Sequence, residues 1–220
     1  MPAALPLAPS ERERDIMTAF HRLYYDSGVW TNTRWLGVGV EKCPLDLWMY
    51  QEIIVEKRPD VIVECGTLHG GSALFLASVC DAIGHGRIVS IDVSDQRRGL
   101  SHPRIDFRIG NSVDERTVHD VRKSTQPHEA VMVVLDSDHH REHVLREMEL
   151  YGALVTEGQY MIVEDTNING NPVAHYYGPG PKEAVEEFLP AHAEFTVDRS
   201  REKFFMTCHP GGFLLKGGRR

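Results

Sequence analysis

Carboxylates close several apolar runs in this 220-residue chain, and the first of these runs leads straight into glycines. Val61-Ile-Val-Glu64 is followed by Cys65-Gly66-Thr67-Leu-His-Gly-Gly71-Ser72, then by an apolar pattern from Ala73 to Val79. A β-branched run, a glycine turn and an apolar helix pattern read as strand, tight loop and helix. Glycines let the backbone approach a ligand, and a helix N-terminus presents unpaired N–H groups. Asp92 ends a second run, Asn111 and Ser112 follow a third, and Asp136 ends a fourth in Leu135-Asp-Ser-Asp138-His139. Glu164 and Asp165 end a fifth. Polar groups gathered at strand carboxyl ends suit a nucleotide-like cofactor beside a divalent metal.

The loop narrows the cofactor. A dinucleotide site prefers G-x-G-x-x-G, but the second glycine position here is Leu68. The lysine of a phosphate-binding P-loop is also missing, because Gly70-Gly71 precede Ser72. A nucleoside without a polyphosphate fits better, and S-adenosylmethionine has a ribose, an adenine and a charged amino acid. The expected contacts are Glu64, Gly66, Thr67, Gly71, Ser72, Asp92, Asn111, Ser112 and Asp136. Asp92 is placed to accept from two ribose hydroxyls, and Glu64 to neutralise the cationic end.

Asp136, Glu164 and Asp165 supply the metal expectation. Neighbouring strands lie about 5 Å apart, so acids at their ends repel unless a cation sits among them. All-oxygen ligation suits magnesium or calcium, and open coordination positions could accept a substrate diol. A hydroxyl held there loses its proton more easily. His139 follows Asp136 closely and an imidazole titrates near neutrality, so it is the candidate base, with His140 as the rival and His143 one helical turn further on.

The elements that must position these groups alternate along the chain. Helical spacing covers Glu11 to Asp26, and an aromatic loop runs from Gly28 to Gly37. Asp46 is the expected cap of a helix through Trp48, Tyr50 and Ile54 that stops before Pro59. Strands are expected at 61–66, 87–93, 105–109, 130–136 and 160–165, with a helix over 140–155 and another from Glu183 to Leu189. Glu194 to Val197 and Lys203 to Cys208 are expected as a final antiparallel pair. The alternation predicts an α/β fold, a mostly parallel sheet wrapped on both faces. One domain is expected, with a tail and helical cap over 1–58 and a Rossmann-like core over 59–216.

Composition sets the outer limits. A formal charge of −8 argues against a nucleic-acid partner. Cys43, Cys65, Cys80 and Cys208 form no C-x-x-C pair and read as thiols of a reducing cytoplasm. No apolar stretch is long enough to span a membrane. Residues 1–10 lack a basic region before their short apolar part and read as a loose Pro/Ala tail, not a signal peptide.

The blocks Tyr50-Gln-Glu-Ile53, Val63 to Ser72, Leu135 to His139, Val163-Glu-Asp-Thr166 and Lys203 to Phe213 resemble the cephalosporin hydroxylase / rhamnosyl O-methyltransferase family. The resemblance covers roughly residues 30 to 215. It implies a class I S-adenosylmethionine-dependent methyltransferase fold, a seven-stranded sheet whose last strand is antiparallel, and magnesium at Asp136, Glu164 and Asp165. It also implies sugar or natural-product tailoring, and leaves the acceptor open. Tyr24, Tyr25, Trp30, Trp35 and Trp48 are candidates to cap such a substrate, with Asn169 to Tyr177 closing the other side. A homo-oligomer is expected, with contacts through the N-terminal helical arm.

Two readings from other classes compete. His140-Arg-Glu142 matches part of a two-histidine, one-carboxylate iron site of an oxygenase. That triad usually sits on a jelly roll, whereas this chain alternates strands and helices. The other is a cofactor-fold protein that acts only as a binding partner.

Overall fold

The computed structural model describes residues 9–217; most of the Pro/Ala tail lies outside them. Helix α1, Glu11–Asp26, starts at a capping box in which Ser10 and Glu13 exchange hydrogen bonds. A short hairpin follows, β1 Arg34–Trp35 and β2 Val38–Gly39, and then α2, Pro44–Lys57. The core alternates: β3 Val61–Cys65, α3 Gly71–Ala82, β4 Arg87–Asp92, β5 Ile105–Ile109, α4 Glu115–Ser124 and β6 Val131–Leu135. It continues with α5 Arg141–Gly152, β7 Tyr160–Val163, α6 Pro181–Phe188, β8 Phe195–Val197 and β9 Phe213–Lys216.

Seven strands form one sheet in the order β5-β4-β3-β6-β7-β9-β8. The five from β5 to β7 are parallel, and β9 runs antiparallel to both β7 and β8. This is the expected mostly parallel sheet with an antiparallel last strand. The strand order reverses between β3 and β6, the switch point at which such sheets bind ligands.

Successive strand residues point to opposite faces, so β-branched runs fill two cores at once. Val61, Val63, Val131, Val133 and Met161 pack on one face with Met148 and Tyr151 of α5 and Phe188 of α6. Ile62, Met132, Val134 and Ile162 pack on the other with Ile53 and Ile54 of α2 and Leu76 of α3.

Four expectations change. Helix α4 was not read from the sequence, because only Val118 and Val121 of its ten residues are buried and the apolar signal is sparse. Asp46 does not cap α2: Cys43 holds the N-cap position with Pro44 next, and Asp46 lies buried inside the first turn. The helix expected over 140–155 spans only Arg141–Gly152. Lys203 to Cys208 is not a strand. Lys203 is drawn out to Glu52 of α2, and the N–H of Cys208 is donated to Asp46 at 2.9 Å, so this segment leaves the sheet and β9 forms later.

The loop after β3 depends on one glycine. Gly66 has φ +98°, and a Cβ there would lie 1.8 Å from the Asp136 carbonyl oxygen. Backbone of two adjacent strand ends meets there with no room for a side chain. Gly66→Ala is expected to destabilise the chain by more than about 3 kcal/mol, from overpacking plus left-handed strain. Gly84→Ala has the same sign of φ, +64°, but open space around it, and should cost only about 1 kcal/mol. Urea unfolding of both variants checks the difference.

Candidate active site

The carboxyl ends of β3, β4, β6 and β7 open on one cavity of about 820 Å³, within the usual range for a small-molecule site. Gly66, Thr67, Gly71, Ser72, Asp92, Asn111, Ser112, Asp136, His139, Glu164 and Asp165 all line it, as the sequence reading requires. Glu64 does not. It lies behind the wall, 1 % exposed, and its Oε2 accepts the Ser90 hydroxyl at 2.6 Å. Ser90 in turn bonds Thr67 of the glycine loop at 2.7 Å. Burial pushes Glu64 up to about 7, against the pull of Lys42 and of the Ser72 and Ser90 hydroxyls. Its Oε1 is buried without a hydrogen-bond partner.

Asp92 is partly committed. Its Oδ2 accepts the N–H groups of Thr67 and Leu68 at 3.0 and 2.9 Å, and Oδ1 accepts Ser94 N–H at 3.0 Å. An ionised carboxylate offers about four lone-pair sites. Oδ2 has none free, and the second site on Oδ1 is held only by the Ser94 hydroxyl at a long 3.5 Å, so it is the one a ligand hydroxyl can take over. On the next strand, Asn111 turns back to its own backbone, accepting Val113 N–H at 3.1 Å. Ser112 and Ser137 both approach His143 Nε2, at 3.2 and 3.1 Å, and Ser137 also donates to buried Glu147 at 2.6 Å.

The expected triad of carboxylates is split. Asp136, Asp165 and His139 bring ligand atoms within 4.8 Å of one another. Glu164 is not in that group: it lines the same cavity but meets Asp136 through the Lys42 ammonium that lies between them. Asp165 leaves strand geometry with φ +54°. Glu164 is 3 % exposed and accepts Tyr50 Oη–H at 2.7 Å and Lys42 Nζ at 2.6 Å. The same lysine donates to Asp136 and is itself only 5 % exposed. Burial opposes its charge, but Asp136, Glu164 and Glu64 outweigh burial and raise its pKa.

Lys42 is the residue that sequence reasoning missed. A single lysine in a polar loop reads as solvated, and nothing local marks it as buried. Tyr50 and His209 were missed as site residues for the same reason. His209 Nδ1 accepts Asp165 N–H at 3.1 Å, which places the ring proton on Nε2 facing Tyr50.

His139 is held as a cation. Its Nε2 lies 2.9 Å from Asp165 and 4.0 Å from Asp136. Burial alone would lower its pKa, yet Asp165 first, then Asp136 and Glu164, raise it to about 9. Asp165 is lowered to about 2, with His139 overcoming the effect of burial. A ring that titrates near neutrality was expected; the acids around it decide otherwise. His140 is exposed and pairs with Asp138 at 2.6 Å, and Glu142 pairs with Arg141 on the surface. Among the described residues His140 and Glu142 join no ligand cluster, so the iron-site reading finds no geometry. Of the aromatics, Tyr25 and Trp30 stack at 5.7 Å and line the cavity with Tyr177. Trp35 packs on Phe75 instead, and Trp48 is exposed.

Comparison with known proteins supplies the family. The family model Rhamnosyl O-methyltransferase/CmcI matches residues 27–217. A rhamnosyl O-methyltransferase of Mycobacterium leprae (strain TN) is 37% identical over 208 residues, covering 91% of this chain and 90% of the relative. Its counterpart in Mycobacterium tuberculosis (strain ATCC 25618 / H37Rv) is 36% identical over 204 residues, covering 90% and 83%. The chain belongs to the rhamnosyl O-methyltransferase/CmcI family. Among solved structures, "CmcI-N160 apo-structure" aligns with a TM-score of 0.68 at 22% identity, over 86% of this chain and 78% of that one. The structure "cmcI-D160 Mg-SAM" aligns with 0.65 at 22% identity and the same coverage. These two likenesses support the fold.

Two outcomes follow for this member of the family. Lys42→Met leaves Asp136 and Glu164 facing each other without their cation, a change worth about 3–5 kcal/mol for a buried pair. The variant should melt well below the wild type, with a larger gap at pH 8 than at pH 6, where the acids can take up protons. Equal melting curves would show that the pair carries no stability. Separately, His139 has a raised pKa, so its contribution is full below the unfolded value of about 6.5 and is lost as pH rises through about 9. Metal-free protein should lose on the order of 2 kcal/mol from this group between pH 6.5 and 9.5. Chemical denaturation across that range checks it, and His139→Gln should flatten the slope.

Proposed function

We propose that this chain is an S-adenosylmethionine-dependent O-methyltransferase that uses magnesium and acts on a sugar hydroxyl of a glycosylated small molecule. The observation that carries the reading is the convergence, on one cavity, of the Gly66–Gly71 loop, Asp92 and the Asp136–His139–Asp165 group. The family and its curated rhamnosyl O-methyltransferases support the substrate class.

The residues present fit both groups. Asp92 can turn one Oδ1 site from the distant Ser94 hydroxyl to a ribose hydroxyl, and Glu64 lies behind the loop with an Oε1 that has no partner among the described residues. Asp136 and Asp165, with Glu164 beside them, are the hard oxygen donors that magnesium prefers. S-Adenosylmethionine supplies the methyl group, and magnesium, when bound, lowers the pKa of an acceptor hydroxyl and stabilises its charge.

The chain's own residues do the rest. Lys42 holds Asp136 and Glu164 in place and limits the negative charge that any cation meets. Tyr50 fixes the other oxygen of Glu164. Asp136 and Asp165 would hold the metal, and a cation there would weaken their pull on His139 and favour its neutral ring. In that form His139 would be the group that takes the acceptor's proton as the acceptor oxygen gains the methyl group and the donor sulfur loses it. Tyr25, Trp30 and Tyr177 offer apolar faces to the acceptor at the rim.

Methyl transfer from labelled S-adenosylmethionine to a panel of rhamnosides tests the proposal. Activity should vanish with a chelator and return with magnesium; full activity after exhaustive metal removal would reject the metal's role. Methyl transfer to none of the rhamnosides by protein that binds the cofactor would reject the substrate class. Asp92→Ala should weaken cofactor binding by about 1–3 kcal/mol, or roughly 5- to 150-fold, through the lost ribose bond and a loosened loop. Calorimetric titration of folded variant and wild type reads that difference, and equal affinities would remove Asp92 from the cofactor site.

A further inference from the structure

A second cluster of ligand-type side chains lies beside the carboxylate group and plays no part in the chemistry above. Cys43 Sγ, Cys208 Sγ and an Asp46 carboxylate oxygen all lie within 4.8 Å of one another. Cys43 and Asp46 are 2 % exposed, and Cys208 is half-buried. The three come from two distant parts of the chain, the first turn of α2 and the loop before β9.

The electrostatics of the cluster are one-sided. Asp46 is a buried carboxylate, and among the described residues no Lys or Arg pairs with it. Its only near basic group is His209 Nε2 at 3.6 Å, and that nitrogen carries its proton because Nδ1 accepts Asp165 N–H. Lys42, the next residue to Cys43, points instead at Asp136 and Glu164. A hydrogen bond from Cys208 lowers the Cys43 thiol to about 7 despite burial, helped by the N–H groups of Leu45 and Asp46 at the helix start. A further oxygen is close: Tyr24 Oη of α1 is buried, its nearest polar neighbour is the Cys43 thiol, and its pKa is raised by burial and then by Cys43 and Cys208. Cys208 is itself pushed well up, so protons on these donors do the work that a cation would, and among the described residues no lysine or arginine faces the cluster.

We propose that Cys43, Cys208 and Asp46 form a binding site for a soft divalent cation of the zinc class, separate from the hard-oxygen site of Asp136 and Asp165. Thiolates select such ions, and magnesium avoids them. Tetrahedral zinc with Zn–S bonds of about 2.3 Å puts its sulfurs ~3.8 Å apart and a carboxylate oxygen ~3.5 Å from each, so the cluster needs to contract by little more than about an ångström. Cys43 and Cys208 both line the main cavity, which gives the ion a path in. The fourth position falls to Tyr24 or to water. The ion would clamp α2 to the loop before β9 and so fix Lys42 and His209, the sequence neighbours of Cys43 and Cys208 that meet Glu164.

The test uses the full chain, reduced and stripped of metal. Cobalt(II) is titrated in and zinc is then added in competition. One equivalent of cobalt should raise a near-ultraviolet thiolate-to-cobalt band, which zinc abolishes and millimolar magnesium leaves intact. Cys43→Ser and Cys208→Ser should each lose the band, whereas Asp165→Asn should keep it. The wild-type titration stands on its own if a serine variant fails to fold. No band at one equivalent, or a band that survives both serine variants, overturns the site. So does a Cys43–Cys208 disulfide found by mass spectrometry in protein isolated without reductant, since the sulfurs then serve each other and not an ion. Because the readout is neither methyl transfer nor magnesium binding, its failure leaves the proposed activity standing.

Discussion

Four acids, Glu64, Asp136, Glu164 and Asp165, come together at the ends of three adjacent strands, and their mutual repulsion must be met. Coulomb energies between such groups are several-fold larger away from bulk water than in it. Two cations answer them, Lys42 between Asp136 and Glu164, and His139 against Asp165. Burial also pushes Glu64 and Asp136 up to about 7, so protons relieve part of the remaining repulsion. A divalent cation would take the place of those protons, and this is the physical link between the sheet and the chemistry.

The sheet makes the crowding unavoidable. Parallel strands β3, β6 and β7 end at one level, and Gly66 lets the first loop lie against the backbone of Asp136. Asp92 then ties that loop to β4 through the N–H groups of Thr67 and Leu68. The same bonds that shape the cofactor loop also reduce what Asp92 can offer a ligand. Binding and architecture share one carboxylate.

The N-terminal segment completes the site from outside the sheet. Lys42 follows the small hairpin and precedes α2, Tyr50 sits one turn and a half further on, and His21 of α1 reaches Asn167 at 2.9 Å. Packing of α2 on one sheet face through Ile53 and Ile54 therefore sets where the cation lies. Removing apolar surface there would act on the electrostatics as much as on stability.

Much of this was legible in the residues alone. β-Branched runs ending in acids mark strands and their carboxyl ends, because strand propensity and burial on both faces are local properties. The loop at Gly66 and the acids at 92, 136, 164 and 165 were visible for that reason. Elements with a weak apolar pattern were not: α4 hides behind two buried valines, and the segment 203–208 has strand-like residues that tertiary contacts with Glu52 and Asp46 pull away. Which acid faces which cation was invisible. Lys42 lies 94 residues from Asp136 and 122 from Glu164, so only folding brings them together. The charge state of His139 belongs to the same class, since it depends on Asp165 beyond the end of the neighbouring strand and on the burial of both. Sequence by itself determined the kinds of groups and the strand ends that carry them. The tertiary structure decided their pairing and protonation, because those depend on distances of a few ångströms between elements far apart in the chain.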